Sequence, residues 1–394
     1  MVQLLFKKMK LEKNKKEEEE LIDIDENGNP IETKQKPKPK KSSFELCVII
    51  FIMIIILIIL IKFFIYSNKK NRKNLFDKTE LKNLKLKNRV ISAAMFDNSL
   101  EGKTISETGL KKYEELAKNH ISIILTGGTF VSPFKIPLAK GSFRIDTDEY
   151  IDTYKPLIEK VHKYDSYIFM QLSHAGLHSK DDVVYSPSIN KCFSQEKDSI
   201  EMSKEDIIKI EEDFVNAAIR AKKAGFDGID IHGAHLTLIS SFFSTKYNRR
   251  KDEYGGSDEN RARFLVEIIK KIREKVGDDF VISVKLDSGE ETEGISDSGF
   301  LLASKMVEAA GVDLITVSGT QVMKDDDIYY FEKCKKLAEN IKIPVACVGG
   351  IKTYEHADFI LNNSKVEYIS IARALMKEPD LIIKWENKNK DLLI

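Results

Sequence analysis

The stretch SKEDIIKIEEDFVNAAIRAKKAGFDGIDIHGAH, residues 203–235, reads as one helix feeding one buried strand. Ser203 stands as N-cap with Glu205 and Asp206 in the first turn, and Gly225 ends the helix. The strand GIDIH (228–232) then breaks into a loop carrying two histidines, His232 and His235. The same device recurs at SDENRARFLVEIIKKIREKVG (257–277), capped by Ser257 and closed by Gly277, ahead of VISVKL (281–286). Working outward, further β-branched runs stand at RVIS (89–92), ISIILT (121–126), YIFMQL (167–172), LITVS (314–318), VACVG (345–349) and YISIA (368–372). Strands alternating with amphipathic segments predict a parallel sheet covered by helices. Eight of them over about 280 residues suit an α/β fold of the closed (β/α)8 TIM-barrel type. An open doubly wound sheet is the other candidate; it wants a glycine-rich fingerprint after the first strand, and VISAAMFDNS (90–99) has none.

In a barrel the C-terminal strand ends converge on the face where active sites are built. Here those ends carry small or polar residues: Ala93 to Met95, Gly127 and Gly128, Gln171, His232, Lys285, Ser318, Gly349 and Gly350, and Arg373. CVGGIKTYEHA (347–357) and SIARALMKEP (370–379) follow strands seven and eight, the usual phosphate position of this architecture. Bare glycine N–H groups beside an arginine suit an anion; the plainer reading of Gly349 and Gly350 is a tight turn.

Lys and Arg number 63 against 62 Asp and Glu, for a net charge of +1, so a nucleic-acid partner has no global electrostatic support. Cys47, Cys192, Cys334 and Cys347 show no CxxC spacing and read as incidental thiols. Residues 1–43 form a Lys/Glu-rich tail expected to be disordered. FELCVIIFIMIIILIILIKFFIY (44–66) is apolar without a polar face, and is expected to be a transmembrane helix with the lipid bilayer as partner. A basic linker, 67–74, leads to the barrel at 75–394. Lysines and arginines flank both ends of the span evenly and leave its orientation open.

Four motifs carry a resemblance. LFDKTELKNLKLKNRVISAAM (75–95), FMQLSHAG (169–176), DGIDIHGAH (227–235) and, longest, FFSTKYNRRKDEYGGSDENRARFLVEII (242–269) appear in order. Over residues 75–385 the chain resembles the Old Yellow Enzyme family of FMN-dependent NAD(P)H oxidoreductases. The resemblance implies that Ala93, Ala94 and Met95 border the flavin ring through backbone groups, with Gly128 leaving it room. Gln171 would meet the pyrimidine end with both donor and acceptor. Lys285, where the family usually has arginine, would supply the cation near N1 and O2. Gly349, Gly350, the Ala372 amide and Arg373 would hold the phosphate.

By the same resemblance, His232 and His235 would each donate an N–H to a substrate oxygen and so polarise it for hydride arrival. A zinc site is the rival for two close histidines, but no third ligand of suitable spacing accompanies them. His174 and His178 would line the pocket or pack beside it, and NRRKDEYGG (248–256) reads as a salt-bridged loop feeding the Ser257 cap.

Three departures stand out. Leu177 replaces the arginine that commonly follows HAG, Phe96 stands near the reactive flavin nitrogen, and Thr237 stands where the family has a tyrosine proton donor. The expectation is a membrane-anchored FMN oxidoreductase, its barrel facing the cytosol and its nicotinamide supply. It would take hydride from NAD(P)H and pass it to a small electron acceptor: an α,β-unsaturated carbonyl, a quinone or a nitro compound. A dihydrouridine synthase would need a basic RNA-binding extension that is missing here. A flavin-binding or degenerate barrel, tethered and non-catalytic, is the remaining reading.

Overall fold

Eight apolar runs become eight parallel strands. They are β1 (Val90–Ser92), β2 (Ile123–Leu125), β3 (Tyr167–Ser173), β4 (Gly228–Gly233), β5 (Val281–Asp287), β6 (Leu314–Ser318), β7 (Val345–Val348) and β8 (Tyr368–Ile371). Each pairs in parallel with the next and β8 pairs with β1, so the sheet closes into a barrel. The computed structural model describes residues 27, 49–60, 62, 72–288, 293–319 and 328–391. Residues 1–71 and 72–394 form separate units, and everything that follows on the barrel concerns the second.

The helices on the barrel's outside are α1 (Glu107–Lys118), α2 (Lys155–His162), α3 (Lys204–Ala224), α4 (Asp258–Val276), α5 (Asp297–Ala309), α6 (Phe331–Ala338), α7 (Tyr354–Asn363) and α8 (Leu381–Asp391). The expected caps hold. Ser203 and Asp206 form a reciprocal capping box on α3, and Gly225 closes that helix in the left-handed region at φ 102°. Ser257 accepts from the Asn260 N–H at the start of α4. Apolar faces of these helices, such as Ile207, Ile210 and Phe214 on α3, pack on the outside of the strands.

Inside, alternate residues of each strand point to the axis. At the N-terminal end these are Ile91, Ile123, Phe169, Val281, Leu314, Ala346 and Tyr368, all buried. An antiparallel hairpin, Thr79–Leu81 with Leu84–Leu86, closes this end by inserting Leu81, Leu84 and Leu86. The Tyr368 hydroxyl donates to the Glu80 carbonyl at 2.8 Å and fastens the plug. One pleat higher the interior turns polar. Register puts Gln171 of β3 and Ser283 of β5 on either side of Asp230 of β4. Two residues further, His232 lies beside Lys285, and two beyond that Asp287 lies beside Ser318 of β6.

The expected membrane location needs correction. Of the 44–66 segment, residues 49–60 and 62 are described; 49–60 are helical and exposed. At 1.5 Å per residue such a run rises about 18 Å, against roughly 30 Å of hydrocarbon. Among the described residues no helix is long and apolar enough to cross a membrane. The single-pass location, the bilayer partner and the cytosol-facing orientation fall with that finding. The rest of that segment, residues 67–71 and the 1–43 tail apart from Asn27 lie outside the described residues.

Candidate active site

The polar layer is built outward from Asp230. Its two carboxylate oxygens accept from Gln171 Nε2 at 2.8 Å and from Ser283 Oγ at 2.7 Å, while the Gln171 backbone N–H donates to Thr126 Oγ1 at 3.0 Å. The amide of Gln171 therefore cannot rotate freely. Burial pushes the Asp230 carboxyl above its ordinary range, and these hydrogen bonds together with the Lys285 charge oppose that rise. Burial likewise pulls the Lys285 ammonium down, with Asp230 and Asp287 holding it up. Each buried charge keeps the other in place.

His232 and His235 sit edge to face with ring centroids 5.0 Å apart. Burial first, then the other histidine and the Lys285 cation, hold His232 well below the usual imidazole range. Burial and Lys285 bring His235 down to about 3. Both rings are neutral at physiological pH, so each offers one N–H and one lone pair. They are not equivalent. His232 Nδ1 is buried with no partner, whereas His235 Nε2 lies 3.0 Å from Ser318 Oγ. His178 Nε2 donates to the His235 carbonyl at 3.1 Å, and its ring packs on Phe193.

Behind β1, the loop bearing Ala93, Ala94 and Met95 is held by Asp97, which accepts from Tyr113 Oη at 2.8 Å and Lys112 Nζ at 2.9 Å. The two glycines after β2 differ in what surrounds them. A Cβ on Gly128 would meet only ordinary contacts, Ser173 Cβ at 3.7 Å. A Cβ on Gly127 would lie 2.5 Å from Asp97 Cβ and 2.7 Å from the Met95 carbonyl, so this glycine lets the loop close down.

After β7, Gly349 and Gly350 adopt φ of 99° and 71°, the region that favours glycine. They border a cavity of about 430 Å³ whose wall also includes Ala94, His235, Lys285, Ser318, Ala372 and Arg373. Ser370 on that wall has a buried hydroxyl without a partner. Ala93, Met95, Gly128, Gln171 and His232 lie off the cavity wall, on the β1 to β4 side. A second cavity of about 200 Å³, lined by Phe130, Phe134, His174 and Lys209, lies between the loops after β2 and β3 and the start of α3.

These residues fit a flavin mononucleotide. Left-handed glycines and Arg373 suit a phosphate, the braced Gln171 suits an amide edge, and the buried Lys285 suits a delocalised anion. The cavity falls within the usual range for small-molecule sites, about 300–1,000 Å³.

Motif reading passed over Asp230, Asp287 and Ser240, and read Ser318 only as one of the polar strand ends. A signal was present for the two acids: IDIH and VKLD each carry a carboxylate inside an otherwise apolar strand, which demands a buried partner. Thr237 donates its hydroxyl to the backbone, with Oγ1 3.0 Å from the Ala234 carbonyl and 3.1 Å from that of His232. The charged 248–256 loop is structural, as expected. Arg250 pairs with Asp252 at 2.6 Å and reaches the Met202 carbonyl at 2.6 Å.

Comparison with known proteins places the chain in a family. Residues 74–391 match the model of the NADH:flavin oxidoreductase / NADH oxidase family. The NADH oxidase of Thermoanaerobacter brockii is 33% identical over 338 residues, covering 81% of this chain and 51% of that protein. The NADPH dehydrogenase of Bacillus licheniformis is 33% identical over 316 residues, covering 78% of this chain and 92% of that protein. The chain thus spans about half the length of the first relative and nearly all of the second. Among solved structures, morphinone reductase superposes with a TM-score of 0.72 at 24% identity, over 81% of this chain and 90% of that one, which shows the shared fold. The chain belongs to the NADH:flavin oxidoreductase / NADH oxidase family, the Old Yellow Enzyme-like family whose members use FMN with NAD(P)H as reductant.

Proposed function

We propose that this chain is an FMN-dependent NAD(P)H oxidoreductase that reduces small electron-poor acceptors: α,β-unsaturated carbonyls, quinones or nitro compounds. The observation that carries the reading is the pair of neutral histidines, His232 and His235, beside the buried Lys285 cation. When bound, FMN supplies a two-electron carrier that alternates between nicotinamide and acceptor in ping-pong fashion.

The chain's own groups do the rest. Gly349, Gly350, the Ala372 amide and Arg373 hold the phosphate. Ala93, Ala94, Met95 and Gly128 border the ring through their backbone, and Gln171, held by Asp230, meets its amide edge. Lys285 stabilises negative charge close by, and as a lysine it does so as a point charge without arginine's fork. His232 and His235 donate N–H groups to the acceptor oxygen. Neutral donors favour this role because they stabilise a developing oxyanion without losing a proton to it. Thr237 takes no part in proton delivery, its hydroxyl hydrogen being committed to the backbone. Quinones, which need no proton on carbon, are accordingly the favoured acceptors over enones.

The test is the absorbance spectrum of the purified full chain before and after anaerobic NADPH, followed by menadione and cyclohexenone. Expected are a flavin spectrum, FMN by mass spectrometry of the heat-released cofactor, bleaching by NADPH and faster reoxidation by menadione. A folded protein without flavin, or a flavin that NADPH leaves oxidised, overturns the proposal and favours a non-catalytic barrel.

A further inference from the structure

His235 and the next residue, Leu236, both hold left-handed backbone, with φ of 61° and 52°. A residue with a Cβ pays for that conformation, and leucine lacks the local polar side chain by which Asn or Asp tolerates it. Two such residues in succession persist only where the surroundings over-determine them. Here four hydrogen bonds do so. The His235 N–H donates to Asp287 Oδ1 at 3.0 Å, and the His235 carbonyl accepts from His178 Nε2 at 3.1 Å. The Leu236 N–H donates to Ser240 Oγ at 3.1 Å, and the Ser240 hydroxyl in turn donates to Asp287 Oδ2. Asp287 and Ser240 are buried, at 4% and 0% exposure, so water does not compete for these bonds.

The same strand ends control the ring. Asp287 closes β5 opposite Ser318 of β6, and Ser318 Oγ stands 3.0 Å from His235 Nε2. Main chain and imidazole of one residue are thus held from adjacent positions of two neighbouring strands. Releasing the main-chain hold lets the loop leave its strained conformation and swings the imidazole off its direction.

We propose that Asp287, acting together with Ser240, is a positioning residue that aims the His235 imidazole at the acceptor oxygen. The inference rests on the function proposed above, in which that imidazole is a donor. It makes Asp287 act by geometry, and this separates it from the other role open to a buried acid, supplying charge beside Lys285. Asparagine keeps the geometry, since its Oδ1 accepts from the His235 N–H and its Nδ2 donates to a reoriented Ser240 hydroxyl. Alanine keeps neither.

The experiment titrates the full-length, FMN-loaded protein with 4-hydroxybenzaldehyde and follows the long-wavelength charge-transfer band of the bound phenolate. Variants are Asp287→Ala, Asp287→Asn and Ser240→Ala. Asp287→Ala is expected to raise the Kd about tenfold with FMN content retained. Asp287→Asn should stay within about threefold of wild type, and Ser240→Ala should fall between. Unchanged binding in Asp287→Ala overturns the proposal. So does an asparagine variant as weak as the alanine one, which would assign the effect to charge. If Asp287→Ala does not fold, Ser240→Ala carries the test, and wild-type affinity in it is fatal.

A wild-type protein that binds no FMN, or shows no phenolate band, refutes the functional reading instead. The clamp is then judged on flavin-free protein by the rate at which diethyl pyrocarbonate modifies His235. Faster modification in Ser240→Ala and Asp287→Ala supports it; equal rates overturn it.

Discussion

The two ends of the barrel interior are made from the same eight strands and behave as opposites. At the N-terminal end Phe169, Val281, Leu314 and Tyr368 meet the leucines of the hairpin plug, with no charge among them. Two residues further along the strands stand Gln171, Asp230 and Ser283, and two beyond Ser283 stands Lys285, all buried and all polar. Apolar burial stabilises by roughly 25 cal/mol per Å² and asks for no partner. Buried polar groups stabilise only when every one is matched, and a mismatch costs about 1–3 kcal/mol. The lower layer holds the barrel shut, so the upper layer can carry groups whose arrangement serves a ligand.

Substitutions should separate the two ends. The largest effect is expected at the base, where Phe169→Ala should cost about 3–5 kcal/mol of stability, read by denaturant unfolding. Protein that remains folded should bind FMN normally; loss of the flavin at unchanged stability would mean that the layers are not distinct. Next comes the top. Replacing both His232 and His235 by alanine should weaken phenolate binding by about 2–4 kcal/mol, from two charge-assisted hydrogen bonds less some water substitution. Little change in thermal midpoint should accompany it, and a large drop would make the pair structural.

Acid sharpens the contrast further. His235 has its ordinary value of 6.5 when unfolded and about 3 when folded. The unfolded chain therefore binds the extra proton first. Stability from this group is complete above pH 6.5 and is lost as pH falls toward 3. Between pH 7 and 5 the loss should be about 2 kcal/mol, seen in urea midpoints and absent in His235→Gln. An unaltered acid slope in that variant would show that other groups, His174 among them, dominate. The smallest effect belongs to Thr237→Val, which forfeits one hydroxyl-to-backbone bond at about 1 kcal/mol. Relative rates with cyclohexenone and menadione should not move. A selective fall with cyclohexenone would restore Thr237 to the proton path.

The strands themselves were legible because each is a short β-branched run next to a capped helix; LITVS, expected at 314–318, forms β6 over the same residues. The hairpin at 79–86 escaped notice, although Leu81, Leu84 and Leu86 all point inward. Three-residue strands joined through Lys82, which holds φ 55°, leave too little periodicity to read. At the site, His232, His235, Gly349 and Gly350 could be placed at strand ends from the sequence alone. The steric need for glycine at Gly127 could not be read, because what excludes a Cβ there is the Asp97 loop, thirty residues upstream and set by Tyr113. The clamp on His235 was equally hidden, since its acid lies one strand away. The apolar 44–66 segment misled, its composition suggesting a span where the described helix is shorter.

One consequence of the Gln171, Asp230 and Ser283 row concerns how the protein can change. Three neighbouring strands contribute one residue each, at one height, to a chain of hydrogen bonds with no slack. Exchanging Asp230 for glutamate pushes the carboxylate one methylene further and strands both partners; exchanging Ser283 for alanine leaves an oxygen bare. Effects of such neighbours do not add. Related sequences that differ here should therefore differ at two or three of these positions together, so that the row is inherited, lost or rebuilt as a single heritable character.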